Sequence, residues 1–355
     1  MSRTLVASGV NLLARGFMVV PTDRKSRAGE PVGALFAVAR AIQRAIAFKQ
    51  PSRAVAVVEA HPDSAKWPAI LQAQLAPLPG LLAALGCRVV HADGELDVCA
   101  SYARAALDAG DDVVVVGVDK RYAQLVGDRL WWYDPAKDAR YTPEIVTKRF
   151  GVGPDKVAGW LGLVGDEDAL PGVKGIGAKG ATTLVETFGS IDAAVAQLET
   201  MEGRLGKALR AAKDDVPREL ARARLDRSRE LPQPLDELAY ASPEPAELNA
   251  LLDRLGFAEL LVAETGAQHV EICDATLEIT GEHALHAVIE DDGTIAGIAL
   301  ATEHDARYVP FGAASWPMLT AWLADPNGPK LGHDLVGAMV ALRQAGIELA
   351  GVIGD

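Results

Sequence analysis

The sequence predicts an α/β fold in which a mainly parallel β-sheet is flanked by helices. Short apolar runs alternate along the front of the chain with longer segments in which apolar residues recur at helical spacing. One run, Asp112–Val116, has four consecutive valines, which is typical of a strand buried on both faces of a parallel sheet. Near the end of the chain the pattern changes to short strands separated by turns, which indicates a small second α/β domain.

The composition indicates a globular protein with more than one hydrophobic core. Of 355 residues, 49% are hydrophobic, enough to bury two or three cores. The three cysteines show no CxxC spacing and their odd number argues against a disulfide framework, so we expect a reducing, cytoplasmic location. Asn11 and Arg15 interrupt the first apolar segment and no long apolar span follows, so we expect neither a signal peptide nor a membrane span.

The negative charge is concentrated near the end of the chain. The whole sequence has a net charge of −13, but residues 1–240 contain 31 basic and 30 acidic residues. Residues 241–355 contain four basic and 18 acidic residues, a net charge of −14. The front of the chain is therefore not excluded from binding a polyanion.

Five runs in the front of the chain are predicted strands, and the segments between and after them are mostly helical. The strands are Thr4–Ala7, Ala54–Val58, Arg88–His91, Asp112–Val116 and Leu130–Tyr133. The predicted helices begin at Ser8 and then cover Val32–Phe48, Asp93–Ala109, Thr142–Phe150 and Glu244–Leu261. Polar groups gather at the carboxyl ends of parallel strands, and Glu59 lies at such an end. Trp131 and Trp132 are interpreted as packing residues rather than base-stacking groups.

Residues 163–189 are predicted to form two helices joined by a glycine-rich hairpin. Pro171 lacks an amide hydrogen and three glycines favour a tight turn, so the centre of this stretch is not helical. Beyond the turn, apolar residues recur at helical spacing as far as Gly189, which stands where a C-cap glycine is expected.

Such a hairpin suits a phosphate group, because unpaired amides and the helix dipole meet at the start of the second helix. Two lysines flank it, and the absent glycine side chains let a nucleic-acid backbone approach closely. An ordinary helix–turn–helix corner is the alternative, but the full pattern favours DNA. The predicted DNA contacts are Gly172, Lys174, Gly175, Ile176, Gly177 and Lys179.

A basic stretch follows the hairpin. Residues 204–229 contain nine lysines or arginines against four acidic residues. This helix-like stretch extends the phosphate-binding face if it lies beside the hairpin; a solvated, charged helix face is the alternative.

Several of these motifs resemble one family. Leu170–Lys179 (LPGVKGIGAK) and Phe188–Asp192 resemble the helix-hairpin-helix of the 5'→3' exonuclease domain of bacterial DNA polymerase I, in a family that includes flap endonucleases. Gly29–Val32 and Asp119-Lys120 also match, and the resemblance covers about 260 residues. It implies a PIN-like 5'-nuclease core over residues 1–150 and a helix-hairpin-helix DNA-binding subdomain over residues 151–264.

The remaining residues, 265–355, resemble the first half of the proofreading 3'→5' exonuclease domain of the same polymerase. Asp291–Gly293 between apolar runs predicts a β-hairpin. Ala338 stands where that family has an aspartate, and His333 and Asp334 alone do not make a metal site. We therefore expect a truncated, structural domain.

The resemblance also implies metal-ion hydrolysis of a phosphodiester bond. Two divalent cations, Mg²⁺ or Mn²⁺, are held by crowded carboxylates and activate a water molecule. Carried over position by position, the residues implied in metal binding and catalysis are Asp97, Asp119, Asp166 and Asp168, with Arg15 as a further catalytic residue. The resemblance allows a monovalent cation at the hairpin as well.

The carboxylate set is incomplete in this sequence. Ser8, Leu96 and Arg121 stand at three family carboxylate positions, and Asp166 and Asp168 match only with changed spacing. Glu95 substitutes for a family glutamate only if the helix start shifts. An equal alternative is that the acids at 93, 95 and 97 simply favour the positive end of a helix dipole. The segment that forms a basic arch in the family is also short here and has Lys66 as its one cation between Arg53 and Arg88.

Three classes of function remain open. The favoured one is a structure-specific DNA-binding protein, acting on duplex, 5'-flap or branched DNA, in which nuclease activity is weak or lost. The second is an active metal-dependent 5'→3' exonuclease or flap endonuclease. The third is a protein-interaction module that uses the acidic end of the chain. The sequence does not predict an oligomeric state.

Overall fold

The computed structural model describes residues 2–21, 23–166, 170–262, 270–290, 293–302, 305–332 and 335–354. The chain divides into two compact units, residues 1–263 and 264–355, here called the N-terminal and C-terminal units. Within the described ranges, no helix combines the length and the apolar character needed to cross a bilayer.

The N-terminal unit is built on one six-stranded sheet. Its strands are β1 (Arg3–Ser8), β2 (Arg53–Glu59), β3 (Arg88–Ala92), β4 (Asp112–Val116), β5 (Leu130–Asp134) and β6 (Ala139–Tyr141). Their spatial order is β3-β2-β1-β4-β5-β6, and every neighbouring pair is parallel except β5 and β6. The five predicted strands and the mainly parallel α/β fold are confirmed.

The valine run of β4 shows why the sheet is buried on both faces. Val113 and Val115 pack into the core on one side of the sheet, while Val114 and Val116 pack into the core on the other side. Alternate side chains of a strand point to opposite faces, so a run of four apolar residues requires a helical layer on each face.

Helices form those layers and the hairpin region. They are α1 (Gly9–Val19), α2 (Gly33–Lys49), α3 (Ala69–Gln72), α4 (Leu78–Ala84), α5 (Glu95–Asp108), α6 (Pro143–Phe150), α7 (Pro154–Val164), α8 (Ala178–Phe188), α9 (Ile191–Ala196), α10 (Gly203–Ala211), α11 (Val216–Ala223) and α12 (Pro245–Arg254). Helices α1, α2, α4 and α12 contribute to one core, and α5, α7, α8 and α11 contribute to the other.

Three helix predictions need correction. The basic stretch 204–229 is not one helix but α10 and α11, since Pro217 in the first turn of α11 marks a new start. Helix α12 ends at Arg254 instead of Leu261, because Gly256 takes a positive φ of 72°. Helix α5 begins at Glu95 because Gly94 before it has a φ of 75°.

The segment between β2 and β3, where the family has an arch, contains the short helices α3 and α4. Helix α4 buries Leu78, Leu81 and Leu82 against the core. Much of this segment is therefore used for packing.

The C-terminal unit has a second six-stranded sheet with two helices. Its strands are β7 (Val270–Ile272), β8 (His283–Ile289), β9 (Ile295–Ala301), β10 (Ala306–Pro310), β11 (Lys330–Leu331) and β12 (Val352–Gly354), and its helices are α13 (Trp316–Ala324) and α14 (Leu335–Gln344). The order is β12-β11-β8-β9-β10-β7. Strands β8 and β9 are antiparallel, as the predicted hairpin requires, although its Asp291 and Asp292 lie outside the described residues. His333 and Asp334 also lie outside them.

Candidate active site

A cleft of about 720 Å³ opens at the carboxyl edge of the N-terminal unit's sheet. The order 3-2-1-4-5 reverses between β1 and β4, and crevices at such reversals are the usual ligand sites of parallel sheets. Charged side chains from six segments line it: Arg15, Glu59, Asp63, Glu95, Asp119, Lys120, Arg121, Asp134, Lys137 and Asp166. The structure thus brings Arg15, Asp119 and Asp166 of the predicted site to one cleft.

At the end of β1, the Ser8 hydroxyl donates a hydrogen bond to Oε1 of Glu95. The Glu95 carboxylate also accepts amide hydrogens from Val10 (3.0 Å), Asn11 (3.1 Å) and Glu59 (3.0 Å). Two of these amides belong to the first turn of α1, which has no side-chain cap of its own. Glu95 therefore acts as a remote cap for α1 and fills the space beside Ser8.

Burial raises the pKa of Glu95 to about 7, although the Ser8 hydroxyl and the three amides favour the anion and lower it. Sequence reasoning did not include Glu95 among the site residues. Two features of the sequence could have indicated it: Ser8 lacks the carboxylate that the family has at that position, and Glu95 directly follows Gly94 at a helix start.

Glu59, at the end of β2, is also used as a cap. Its Oε2 accepts the amide hydrogens of Gly94 (3.1 Å) and Glu95 (2.9 Å), at the start of α5. Glu95 and Asp97 do lie in the first turn of α5, where the helix-dipole alternative places them. The amides at the start of this helix, however, are capped by Glu59 from the neighbouring strand.

Asp97 lies further along the first turn of α5. Its Oδ1 accepts the amide hydrogen of Asp226 at 2.9 Å and so holds the chain segment that follows α11. Asp97 does not line the cleft with the other predicted site residues, whereas its neighbour Leu96 does.

Asp119 is bound by its own neighbour on the chain. Arg121 Nε lies 2.9 Å from Asp119 Oδ1, and Arg121 Nη2 lies 2.8 Å from Oδ2, a bidentate pair. The Arg121 amide adds a third hydrogen bond to Oδ1 at 2.8 Å. The side chains of Asp119 and Arg121 are only 9% and 20% exposed, which protects the pair from solvent screening.

Asp166, from the turn after α7, is bound by Lys120. Lys120 Nζ lies 2.7 Å from Asp166 Oδ1, and the aspartate is 9% exposed. Asp168, the second aspartate predicted in this turn, lies outside the described residues. The sequence marks Lys120 only as a match to the family motif, so its role as a counter-ion was missed.

Among the described residues, no three His, Cys, Asp or Glu side chains gather to hold an ion. Asp168, the fourth predicted ligand, lies outside these residues, and the other three already have partners. Asp119 and Asp166 are neutralised by cations, and Asp97 accepts a backbone amide. In this arrangement, the oxygens of these three carboxylates that bind Lys120, Arg121 and Asp226 are not available to a divalent ion.

The glycine hairpin has two parts with different constraints. Gly172 has a φ of 66°, and a Cβ there would lie 2.6 Å from the Gly165 amide nitrogen, so two backbone segments meet tightly. Gly177 has an ordinary φ of −97°, and a Cβ there would have no atom within 4 Å. The packing of the protein therefore explains Gly172 but leaves Gly177 without a structural reason to be glycine.

Ile176 anchors the hairpin. Its side chain is 4% exposed within the core, and its amide donates to Val173 O at 3.1 Å. Of the predicted DNA contacts, Ile176 is thus placed away from solvent. Lys174 and Lys179 are exposed, and among the described residues neither has an ion-pair partner.

Most of the basic stretch 204–229 is already engaged. Seven of its nine cations contact acidic side chains or backbone carbonyls, namely Arg210, Lys213, Arg218, Arg222, Arg224, Arg227 and Arg229. Arg204 and Lys207 are exposed on α10. Helix α10 lies against the hairpin, since a Cβ on Gly175 would be 3.6 Å from Ala208 Cβ. Fewer cations of this stretch than predicted are therefore available to extend the phosphate-binding face of the hairpin.

Comparison with known proteins agrees with this architecture. Residues 3–151 match the model of the 5'-3' exonuclease N-terminal resolvase-like domain, and residues 152–246 match that of the 5'-3' exonuclease C-terminal SAM fold. Over residues 3–246 the chain therefore belongs to the 5'→3' exonuclease family, which includes flap endonucleases.

Relatives of known name are bacterial DNA polymerases I. The chain is 33% identical to the thermostable enzyme of Thermus aquaticus over 278 residues, covering 73% of this chain and 32% of the relative. It is 28% identical to that of Mycobacterium leprae over 408 residues, covering 99% of this chain and 44% of the relative. The chain thus spans less than half the length of these relatives.

Solved structures share the fold. T5 5'-exonuclease with bound zinc ions has a TM-score of 0.52 and 16% identity, over 63% of this chain and 90% of its own. Human GEN1 in complex with Holliday junction DNA has a TM-score of 0.50 and 14% identity, over 90% of each chain.

The raised pKa of Glu95 predicts a specific pH dependence of stability. The folded-state pKa lies above the unfolded value of 4.5, so the native protein holds a proton that the unfolded chain releases. Stability contributed by the protonated group is present below pH 4.5 and is lost as pH rises through 7, by up to roughly 3 kcal/mol. Urea unfolding of the natural protein from pH 5 to 8 should show this loss.

The matched control is Glu95→Gln, which keeps the side-chain shape but cannot titrate. As pH rises from 5 to 8, the unfolding free energy of the natural protein should fall relative to that of Glu95→Gln. Parallel pH profiles for the two proteins would contradict the assignment.

Proposed function

We propose that the N-terminal unit is a structure-specific DNA-binding protein of the 5'→3' exonuclease family, for duplex, 5'-flap or branched DNA, in which phosphodiester hydrolysis is weak or lost. The proposal of weak or lost hydrolysis rests on the bidentate Arg121–Asp119 pair in the cleft. The proposal of DNA binding rests on the hairpin.

Support for DNA binding comes from the free donors of the hairpin. Among the described residues, the amides of Ala178, Lys179 and Gly180 at the start of α8 have no acceptor. The space beside Gly177 is open, and Lys174 and Lys179 are exposed on the same hairpin, so a phosphate bound there would meet the helix dipole close to two lysine charges. Structures with this fold include complexes with Holliday junction DNA and, for the T5 flap endonuclease, with DNA and metal ions.

The chemistry of the cleft argues against efficient hydrolysis. A divalent ion, when bound in such a site, polarises the phosphate and lowers the pKa of a bound water. A guanidinium neutralises charge but is not a Lewis acid and stays protonated at accessible pH. Arg121 and Lys120 therefore balance the carboxylates electrostatically without supplying a nucleophile.

The second candidate is an active metal-dependent 5'→3' nuclease. It is favoured by family membership and by the six described carboxylates that line the cleft. Of these, Glu59 forms no ion pair with a described cation, and Asp134 forms only a long one, with 3.9 Å between its Oδ2 and Lys137 Nζ. For this candidate, Mg²⁺ or Mn²⁺ binds Asp119 or Asp166 only if it displaces Arg121 or Lys120 from that carboxylate.

The hairpin proposal predicts salt-sensitive, sequence-independent binding to duplex DNA. Lys174→Glu combined with Lys179→Glu should weaken binding to all sequences alike. The slope of log K against log salt should fall by about 0.9 for each DNA phosphate that the variant no longer neutralises. Fluorescence anisotropy with two labelled duplexes of unrelated sequence, at several salt concentrations, measures both effects.

A charge-matched control is Arg104→Glu with Arg254→Glu, on α5 and α12, which changes net charge equally but leaves the hairpin intact. It should retain most of the affinity. If the hairpin variant binds as tightly as the natural protein, or if both variants lose affinity equally, the hairpin is not the contact surface.

The cleft predicts little or no cleavage of DNA. A labelled 5'-flap duplex and a 5'-ended blunt duplex, incubated with Mg²⁺ or Mn²⁺, should remain intact under conditions where anisotropy shows binding. The control is Asp166→Asn, which removes one carboxylate of the Lys120 pair and should leave the absence of cleavage unchanged. Robust metal-dependent hydrolysis that Asp166→Asn abolishes would establish the second candidate instead.

A further inference from the structure

A cluster of three cations lies at the opposite edge of the same sheet. Strands β1 and β4 begin there, with Arg3 and Asp112 at their first positions, and Lys49 ends helix α2 nearby. Arg3 Nη1 donates to the Lys49 carbonyl oxygen at 3.0 Å, which fixes the two cationic residues side by side. The cluster is separate from the cleft, which lies at the carboxyl ends of these strands.

The half-buried indole of Trp131 organises the cluster. Lys49 Nζ lies 3.8 Å from the ring centroid and Arg140 Cζ lies 4.0 Å from it. An aromatic ring attracts cations through its quadrupole, and two such contacts hold both long side chains in defined positions. Arg140 reaches the ring from β6, so three strands and a helix contribute to one arrangement.

The cluster has little compensating negative charge. Neither Lys49 nor Arg140 forms an ion pair with a described residue, whereas Arg44 and Arg53 nearby in sequence pair with Asp138 and Asp111. Burial lowers the pKa of Lys49, and the charges of Arg140 and Arg3 lower it further, offset in part by Asp112. Cations held this close together repel one another, and a bound anion relieves that repulsion.

We propose that Arg3, Lys49 and Arg140, arranged around Trp131, form a second binding site for the phosphates of nucleic acid, distinct from the hairpin and the cleft. Arginine and lysine are the usual phosphate donors, and fixing them beforehand reduces the entropy lost on binding. The inference rests on the proposed DNA binding, which makes nucleic acid the polyanion that this unit meets. The alternative is that the two cations only cover the indole from solvent.

The first test is the salt dependence of DNA binding by Lys49→Gln combined with Arg140→Gln. The variant should bind a 40-base-pair duplex roughly tenfold or more weakly at about 0.1 M salt, with a slope of log K against log salt lower by about one to two units. The control, Arg104→Gln with Arg254→Gln, removes the same charge and should keep the slope. Equal slopes for the cluster variant and the natural protein overturn the inference.

The second test needs no variant. Acylation of lysines in the natural protein, followed by mass spectrometry, should show Lys49 protected several-fold by the duplex, with the exposed Lys25 as internal reference. Inorganic phosphate at the same phosphate concentration should not protect Lys49. The inference is overturned if DNA does not protect Lys49 or if inorganic phosphate protects it equally well. It is also overturned if an acidic polypeptide protects Lys49 and DNA does not.

The two proposals fail in different ways. If the natural protein binds no DNA, both are overturned. A different result separates them: the natural protein binds DNA, and the variant at Lys174 and Lys179 binds more weakly. If the cluster variant then binds as the natural protein does and DNA does not protect Lys49, the hairpin proposal stands and this inference alone is overturned.

Discussion

The electrostatics of the cleft depend first on the ion pair between Arg121 and Asp119. A divalent cation and a guanidinium compete for the same carboxylate oxygens, and the guanidinium has the advantage of being attached two residues away. Because the pair is mostly buried, water does not weaken it, and separating it would leave two uncompensated charges. Lys120 repeats the arrangement at Asp166, so consecutive residues neutralise two carboxylates from different segments.

Three further carboxylates, in the cleft or beside it, make structural contacts. Glu95 caps α1 and contacts Ser8, Glu59 caps α5, and Asp97 holds the segment after α11. Each of these three carboxylates accepts at least one backbone amide hydrogen. Packing within the α7–α8 region fixes the shape of the hairpin, through the tight approach at Gly172 and the buried side chain of Ile176.

The sequence was sufficient to predict the parallel sheet, because the valines of β4 allow few other environments, and the hairpin, because Pro171 and its glycines exclude a helix. It was also sufficient to place a cation, Arg121, at a family carboxylate position. It did not predict which aspartate is bound, the role of Lys120, or the Glu95 contact with Ser8, because these depend on segments that meet only in the fold. The single helix expected over 204–229 was wrong because charge pattern alone does not locate a helix break, although Pro217 gave a local signal.

The proposed function requires that Lys120 and Arg121 occupy carboxylate oxygens that divalent ions would otherwise bind. Titration of Mn²⁺ into the protein, followed by electron paramagnetic resonance of the free ion, tests it directly, with Ser8→Asp, Leu96→Asp and Arg121→Asp combined as the restored form. We expect no saturable Mn²⁺ site at micromolar to low millimolar concentrations in the natural protein, and a measurable site in the restored form before any gain in cleavage. Tight, saturable Mn²⁺ binding by the natural protein that Asp166→Asn removes would contradict it.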